Sequence, residues 1–234
     1  MTAVTVMGRE VAIPVEIRSA RSWFASFAVP TEAAAGIVAP AGLVPARLPG
    51  GRSMLSLAFI RYVDGDLDPY NEVAVAFLVA DPAGRKGKGA YIHRLPVDQA
   101  FTCAAGREIW GFPKFVTPID IREGAHADRC VLTVDGHIAV TMTLRRGIPA
   151  PMRSTALDAF SYCDGVLRRT RWELRGSASR MRPGGALVEL GSGAIADELR
   201  TLGLPKRAVM SGCIREVQMT FQAAEIVRAA ESGR

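Results

Sequence analysis

Apolar and polar positions alternate through much of the 234-residue chain. Two stretches rich in β-branched and other apolar residues, 54–63 and 72–80, predict strands, and Asp64-Gly65-Asp66-Leu67-Asp68-Pro69 between them has loop chemistry. Residues 130–134 and 137–144 flank Asp135-Gly136, a pair that supplies the positive φ angles of a type I′ turn, and so predict a hairpin. Further strands are predicted over 115–122, 170–175, 186–190 and 209–223. Helices are predicted to be few and short. One covers 32–38, capped by Thr31 with Glu32 in its first turn; another covers 99–109, opened by Asp98 and closed before Gly111 and Pro113; the last covers 194–202 and stops at Gly203. This pattern predicts a mostly β (α+β) fold built on a curved or closed antiparallel sheet. No repeat, low-complexity tract or long linker interrupts it, so residues 1–234 read as one domain.

Composition narrows the function classes. With 49% hydrophobic and 22% charged residues the chain is neither disordered nor fibrous. Formal charge is +6, yet the densest basic cluster, Arg168, Arg169, Arg171, Arg175, Arg180 and Arg182, is interleaved with Trp172 and Leu174. That alternation reads as a solvated strand face or a subunit contact, and no nucleic-acid partner is expected. Cys103, Cys130, Cys163 and Cys213 form no C-x-x-C pair, and His93, His126 and His137 have no metal-ligand spacing, so no metal is expected. Arg9, Glu10 and Glu16 break the N-terminal stretch, and the longest apolar run, 73–80, is too short to span a bilayer. A reduced, cytoplasmic protein with no membrane partner is the expectation.

Only four of the 29 basic residues are lysines: Lys86, Lys88, Lys114 and Lys206. The distinction matters because an arginine stays charged while a lysine can become a neutral nucleophile. Lys86 and Lys88 lie in a Gly-rich loop and Lys206 follows a proline at a helix end, which are solvated settings. Lys114 lies between Phe112-Pro113 and Phe115-Val116, where a helix gives way to a strand. If its side chain points inward it enters apolar surroundings, where burial disfavours the ammonium and lowers its pKa. If it points outward it is a snorkelling lysine at a strand edge.

The segment Gly106-Arg107-Glu108-Ile109-Trp110-Gly111-Phe112-Pro113-Lys114 resembles the active-site segment of the acetoacetate decarboxylase family, in which the lysine after proline forms a Schiff base with substrate. Tyr91-Ile92-His93 and Tyr70-Asn71-Glu72 are similar to the family's Y-x-H and Y-x-E, and Arg21-Ser22-Trp23-Phe24 to its N-terminal arginine and aromatic pair. The likeness spans nearly the whole chain. It implies a cofactor-free, homo-oligomeric lyase in which Lys114 is the nucleophile, Arg21 positions a substrate carboxylate and Glu72 shuttles protons or orients the substrate. Phe112, Trp110, Tyr91 and His93 form the implied substrate pocket. His93 also has a purely structural reading, and Arg107 and Glu108 are expected to hold the helix end.

Two departures from the family pattern bear on the reaction. Phe115 stands where many members have a second lysine, whose charge is one aid to lowering the nucleophile's pKa. The predicted strand 54–63 also lacks the acid that the family's decarboxylases carry there. The implied activity is decarboxylation of acetoacetate or a related β-keto acid through an iminium on Lys114. The alternatives are a Schiff-base aldolase or dehydratase, and a non-catalytic module that binds a small ligand in the same apolar pocket.

Overall fold

A computed structural model describes residues 2–84, 87–152 and 154–228. In chain order its elements are β1 (Thr2–Val6), β2 (Arg9–Ile13), β3 (Val15–Pro30), α1 (Thr31–Val38), β4 (Arg52–Gly65), β5 (Tyr70–Ala80), β6 (Lys88–Arg94), α2 (Ala100–Trp110), β7 (Ile119–Arg122), β8 (Ala127–Val134), β9 (His137–Arg145), β10 (Ile148–Pro149), β11 (Thr155–Cys163), β12 (Val166–Arg182), β13 (Ala186–Leu190), α3 (Ala194–Thr201) and β14 (Met210–Arg228).

Seven strands close into a barrel in the order β12-β11-β6-β5-β4-β3-β14, sealed by pairing of β14 with β12. The expected mostly β, closed architecture is therefore present. Its neighbours are antiparallel except β6 and β11, which run parallel. A second sheet, β13-β9-β8-β7, packs against the outside of the barrel. Asp135 and Gly136 turn β8 into β9 with φ of 51° and 77°, as the type I′ reading requires. Among the described residues no helix is long and apolar enough to cross a membrane.

The barrel wall carries apolar residues on both faces, and this places the site. Outward-facing Trp23, Phe27, Leu55, Leu57, Phe59, Val75 and Phe77 form one core with the second sheet, α1 and α3. The inner face forms a second core with α2. Many inward positions are small, among them Ser22, Ser56, Ala58, Ala74, Ala76, Ala90 and Ala159, and this keeps the barrel hollow. A barrel of this strand number is otherwise just wide enough to be filled by its own side chains.

Several local expectations need correction. Residues 115–118 are not strand: Pro113 and Pro118 lack the donors of a continuous ladder, and the segment instead bonds Val97 through Phe115 O and Thr117 N at 2.9 and 2.8 Å. Thr31 lies inside α1 and its hydroxyl bonds Ser53 at 3.0 Å instead of capping the helix. Gln99, not Asp98, caps α2 by accepting from the Thr102 amide, while Asp98 accepts from the Asn71 backbone and side-chain nitrogens at 2.7 Å. The strands β3, β6 and β11 complete the barrel beyond the predicted set.

Candidate active site

The barrel interior holds a cavity of about 360 Å³, and α2 and the chain that follows it close one part of its wall. Helix α2 is capped by Gly111, which has a φ of 62° and whose backbone N–H donates to the Arg107 carbonyl at 3.0 Å. A residue with a Cβ is strained there. The chain then turns through Phe112 and Pro113 and is pinned to Val97, which with Pro96 in turn pairs with β5. Arg107 holds the turn by donating to the Lys114 carbonyl at 3.2 Å. These contacts aim the Lys114 side chain inward under the face of α2 that carries Thr102 and Gly106. At Gly106 a Cβ would fall 2.4 Å from Lys114 Cδ and 2.6 Å from Cε, so the helix can lie on the lysine only because it has no side chain there.

Lys114 is 3% exposed and Glu72 5%. Their Nζ and Oε2 lie 2.8 Å apart. The ammonium also donates to Thr102 Oγ1 at 3.3 Å and sits 5.0 Å from the centre of the Tyr70 ring. The other Glu72 oxygen accepts from Tyr62 OH at 2.9 Å. Tyr62 and Tyr70 stack at 4.2 Å with an interplanar angle of 15°. Among the described residues that line the cavity, Lys114 is the one cation and Glu72 the one anion.

The electrostatics correct the expectation of a lowered lysine pKa. Burial pushes the Lys114 pKa down, but the Glu72 carboxylate and Tyr70 outweigh it, and the net direction is upward from 10.5. In this arrangement the resting amine is an ammonium. Burial, and then the neighbouring carboxylate, push the Tyr62 phenol well up; burial pushes Tyr70 to about 12. Both phenols are thus proton donors at neutral pH. A buried ammonium–carboxylate pair can exchange its proton, leaving a neutral amine and a carboxylic acid. That amine can attack a carbonyl, and the acid can return the proton to the carbonyl oxygen.

The structure brings together Lys114, Glu72, Phe112 and Trp110 from the expected set, and leaves out the other three. Arg21 faces away from the cavity: its guanidinium meets Glu123 at 2.6 Å, beside Arg61 and Arg215 on the same carboxylate, and it is Ser22 that faces inward. Tyr91 is buried in the outer core. His93 likewise points outward and bonds Glu198 of α3 at 2.8 Å, the structural role open to it. Along β6 the inward residues are Ala90 and Ile92. Residues not anticipated are Tyr62 and Thr102, while Tyr70 and Gly106 stand in the sequence reading only as members of the Tyr-x-Glu and Gly-Arg-Glu motifs. Of the other lysines, Lys88 is exposed and Lys206 is half-buried, donating to the Ala28 carbonyl at 3.0 Å; Lys86 lies outside the described residues. Among the described residues no cluster of His, Cys, Asp and Glu could hold a metal ion.

The acetoacetate decarboxylase (ADC) family model matches residues 5–230. No curated protein matches the chain. Among solved structures, an acetoacetate decarboxylase from Legionella pneumophila superposes with a TM-score of 0.71 at 18% identity, covering 94% of this chain and 91% of that one. The enduracididine biosynthesis enzyme MppR, complexed with pyruvate, superposes with a TM-score of 0.66 at 17% identity over 93% of this chain and 92% of its own. An acetoacetate decarboxylase-like enzyme from Sphingomonas wittichii RW1 gives 0.61 at 13% identity over 94% and 95%. At these identities the superpositions speak to the fold, which all three share with this barrel. The family model, running over nearly the full length, goes further: the chain belongs to the acetoacetate decarboxylase family.

Proposed function

We propose that the protein is a Schiff-base enzyme that decarboxylates a β-keto acid through an imine on Lys114. The observation that carries this reading is the buried Lys114–Glu72 pair, the one charged pair among the described residues that line the cavity. When a keto acid enters, Glu72 takes a proton from the ammonium. The neutral Nζ attacks the keto carbon, a C–N bond forms, and the carbonyl oxygen is protonated and leaves as water. The resulting iminium replaces the ammonium as the cation opposite Glu72. The bond to the β-carboxylate then breaks, its electron pair flows to the iminium nitrogen, and CO2 departs. A proton added to the enamine carbon and hydrolysis of the imine restore Lys114.

Decarboxylation is favoured over carbon–carbon bond formation by charge. With Arg21 facing away from the cavity, no second cation among the described residues lines it to hold a substrate carboxylate. A carboxylate there is poorly solvated and lies near Glu72, and its loss as neutral CO2 removes that cost. An aldolase working on pyruvate keeps its carboxylate throughout. That second reading draws support from MppR, solved with pyruvate and with the condensation product of pyruvate and imidazole 4-carboxaldehyde.

The two routes separate by product. Incubated with acetoacetate, the wild-type protein is expected to release CO2 faster than buffer does, and Lys114→Ala is expected to lose that excess. A condensation product from pyruvate plus an aldehyde, with no CO2 from acetoacetate, would replace this reading with the aldolase.

A further inference from the structure

The cavity extends well beyond the Lys114–Glu72 pair, and the strand register gives its direction. On β5 the inward positions after Glu72 are Ala74 and Ala76. On β4 they are matched by Ala58, opposite Ala74, and Ser56, opposite Ala76. At about 3.3 Å per residue, Ala76 lies roughly 13 Å along the strand from Glu72. These small side chains pave a track that leads away from the reacting end. In the barrel order β4 and β5 stand across from β12 and β14, whose Trp172 and Phe221 line the cavity with their rings stacked in parallel, centres 5.7 Å apart.

Charge is confined to one end of this slot, where Tyr62 and Tyr70 stand beside Lys114 and Glu72. Elsewhere the described lining offers two hydroxyls, Ser22 and Ser56, and the Ser56 oxygen is already engaged with Ser26 at 3.0 Å. A substituent along the track therefore gains from apolar contact and finds no partner for a charge. Volume sets its size. The cavity of about 360 Å³ corresponds to roughly twelve groups at about 30 Å³ each, the share of one water molecule, against about seven non-hydrogen atoms in acetoacetate.

We propose that the keto carbon of the substrate carries an alkyl chain of about six carbons, which lies along the small-residue track of β4 and β5 while Lys114 engages the carbonyl. This deepens the Lys114 reading and rests on it for the reacting end. The substrate class is then a medium-chain 3-oxo acid: its carboxylate leaves as CO2, a proton takes the vacated place on the α-carbon, and a methyl ketone is released. Ala74 and Ala76 are specificity-determining residues, because a larger side chain at either one fills the space that the chain needs.

The test first reads the track without the lysine chemistry. Two carbonyl-free alcohols, 1-hexanol and 1-octanol, are titrated calorimetrically into the wild-type protein. Each methylene is expected to tighten binding about three- to four-fold, so 1-octanol should bind about ten-fold more tightly than 1-hexanol. Ala76→Leu, and separately Ala74→Leu, are expected to cut that preference below about three-fold. CO2 release is then compared for acetoacetate and 3-oxononanoate, with spontaneous loss subtracted. In the wild type kcat/KM is expected to be at least about 100-fold higher for the longer acid. No binding of either alcohol, equal affinities for the two, a preference that survives both substitutions, or turnover of acetoacetate at least as efficient as that of 3-oxononanoate would each overturn the proposal. Borohydride reduction in the presence of 3-oxononanoate is run in parallel. A chain-length preference among the alcohols with no CO2 from either acid and no reduced adduct on Lys114 would sink the Schiff-base reading while leaving the apolar track standing.

Discussion

Lys114 and Glu72 face each other across 2.8 Å inside the barrel, both nearly inaccessible to solvent, so the proposed nucleophile and its proposed proton acceptor form one buried charge pair. Each depends on the other for its charge. Removing one partner of such a pair leaves an uncompensated buried charge.

Glu72→Gln is therefore expected to reverse the pH dependence of stability. In the wild type the folded-state pKa of Lys114 lies above 10.5, so the pair's contribution is in place below that pH and fades as pH rises through the folded value. Without the carboxylate, burial dominates and the folded pKa drops below the unfolded one. The unfolded chain then binds more protons, and stability climbs with pH up to about 10.5. Urea unfolding across pH 7 to 11 reads the two slopes, and parallel curves would contradict the coupling. The variant is expected to lose about 3–5 kcal/mol at neutral pH and, with its proton acceptor gone, roughly 10²- to 10⁴-fold in rate.

Tyr62→Phe removes one hydrogen bond to Glu72 and keeps the stacked ring over Tyr70. A loss of about 1–3 kcal/mol is expected, because a buried carboxylate oxygen loses its donor. Chemical denaturation measures it. An unchanged midpoint would mean that the phenol does not support the carboxylate.

Gly106→Ala separates the position of the amine from the stability of the fold. Alanine favours a helix interior by about 1 kcal/mol over glycine, yet the new Cβ falls 2.4 Å from Lys114 Cδ and must displace the side chain. The melting temperature is expected to move little while turnover falls about 10- to 100-fold, the scale of an ångström-sized misplacement. Full activity would show that the lysine tolerates a different path.

Arg21→Ala is expected to leave turnover within about two-fold of wild type and to cost under about 1 kcal/mol, as for a half-exposed ion pair. Its side chain is 43% exposed and its partner Glu123 keeps Arg61 and Arg215. A large rise in KM would return Arg21 to the substrate-binding role that the family resemblance implied.

Of the residues expected at the pocket, Lys114, Glu72, Phe112 and Trp110 lie at the cavity, whereas Arg21, Tyr91 and His93 lie outside it. Lys114 and Glu72 were legible, the first as a lysine between two phenylalanines after a proline, the second through its Tyr-x-Glu setting. Within a strand, however, a shift of one residue moves a side chain to the opposite face. Here both faces of the wall are apolar, one against the cavity and one against the second sheet, so alternation alone does not say which is inside. Ser22 faces inward and Arg21 does not; Ala90 and Ile92 do, and Tyr91 and His93 do not. Tyr62 was hidden for a related reason. It reaches Glu72 only because β4 and β5 pair with Ile60 opposite Glu72 and Tyr62 opposite Tyr70, a register that the Asp-rich loop does not dictate. The closed barrel was legible as a run of strands, whereas closure through β12 and β14 and the parallel β6–β11 contact are long-range pairings with no local sign.

Reduction with sodium borohydride in the presence of acetoacetate, followed by mass spectrometry of the Lys114 peptide, distinguishes an imine-forming Lys114 from a structural one. A covalent adduct of the reduced imine is expected on Lys114, absent without the keto acid. An intact protein that shows no modification at Lys114 with acetoacetate or with pyruvate would contradict a Schiff base on this lysine.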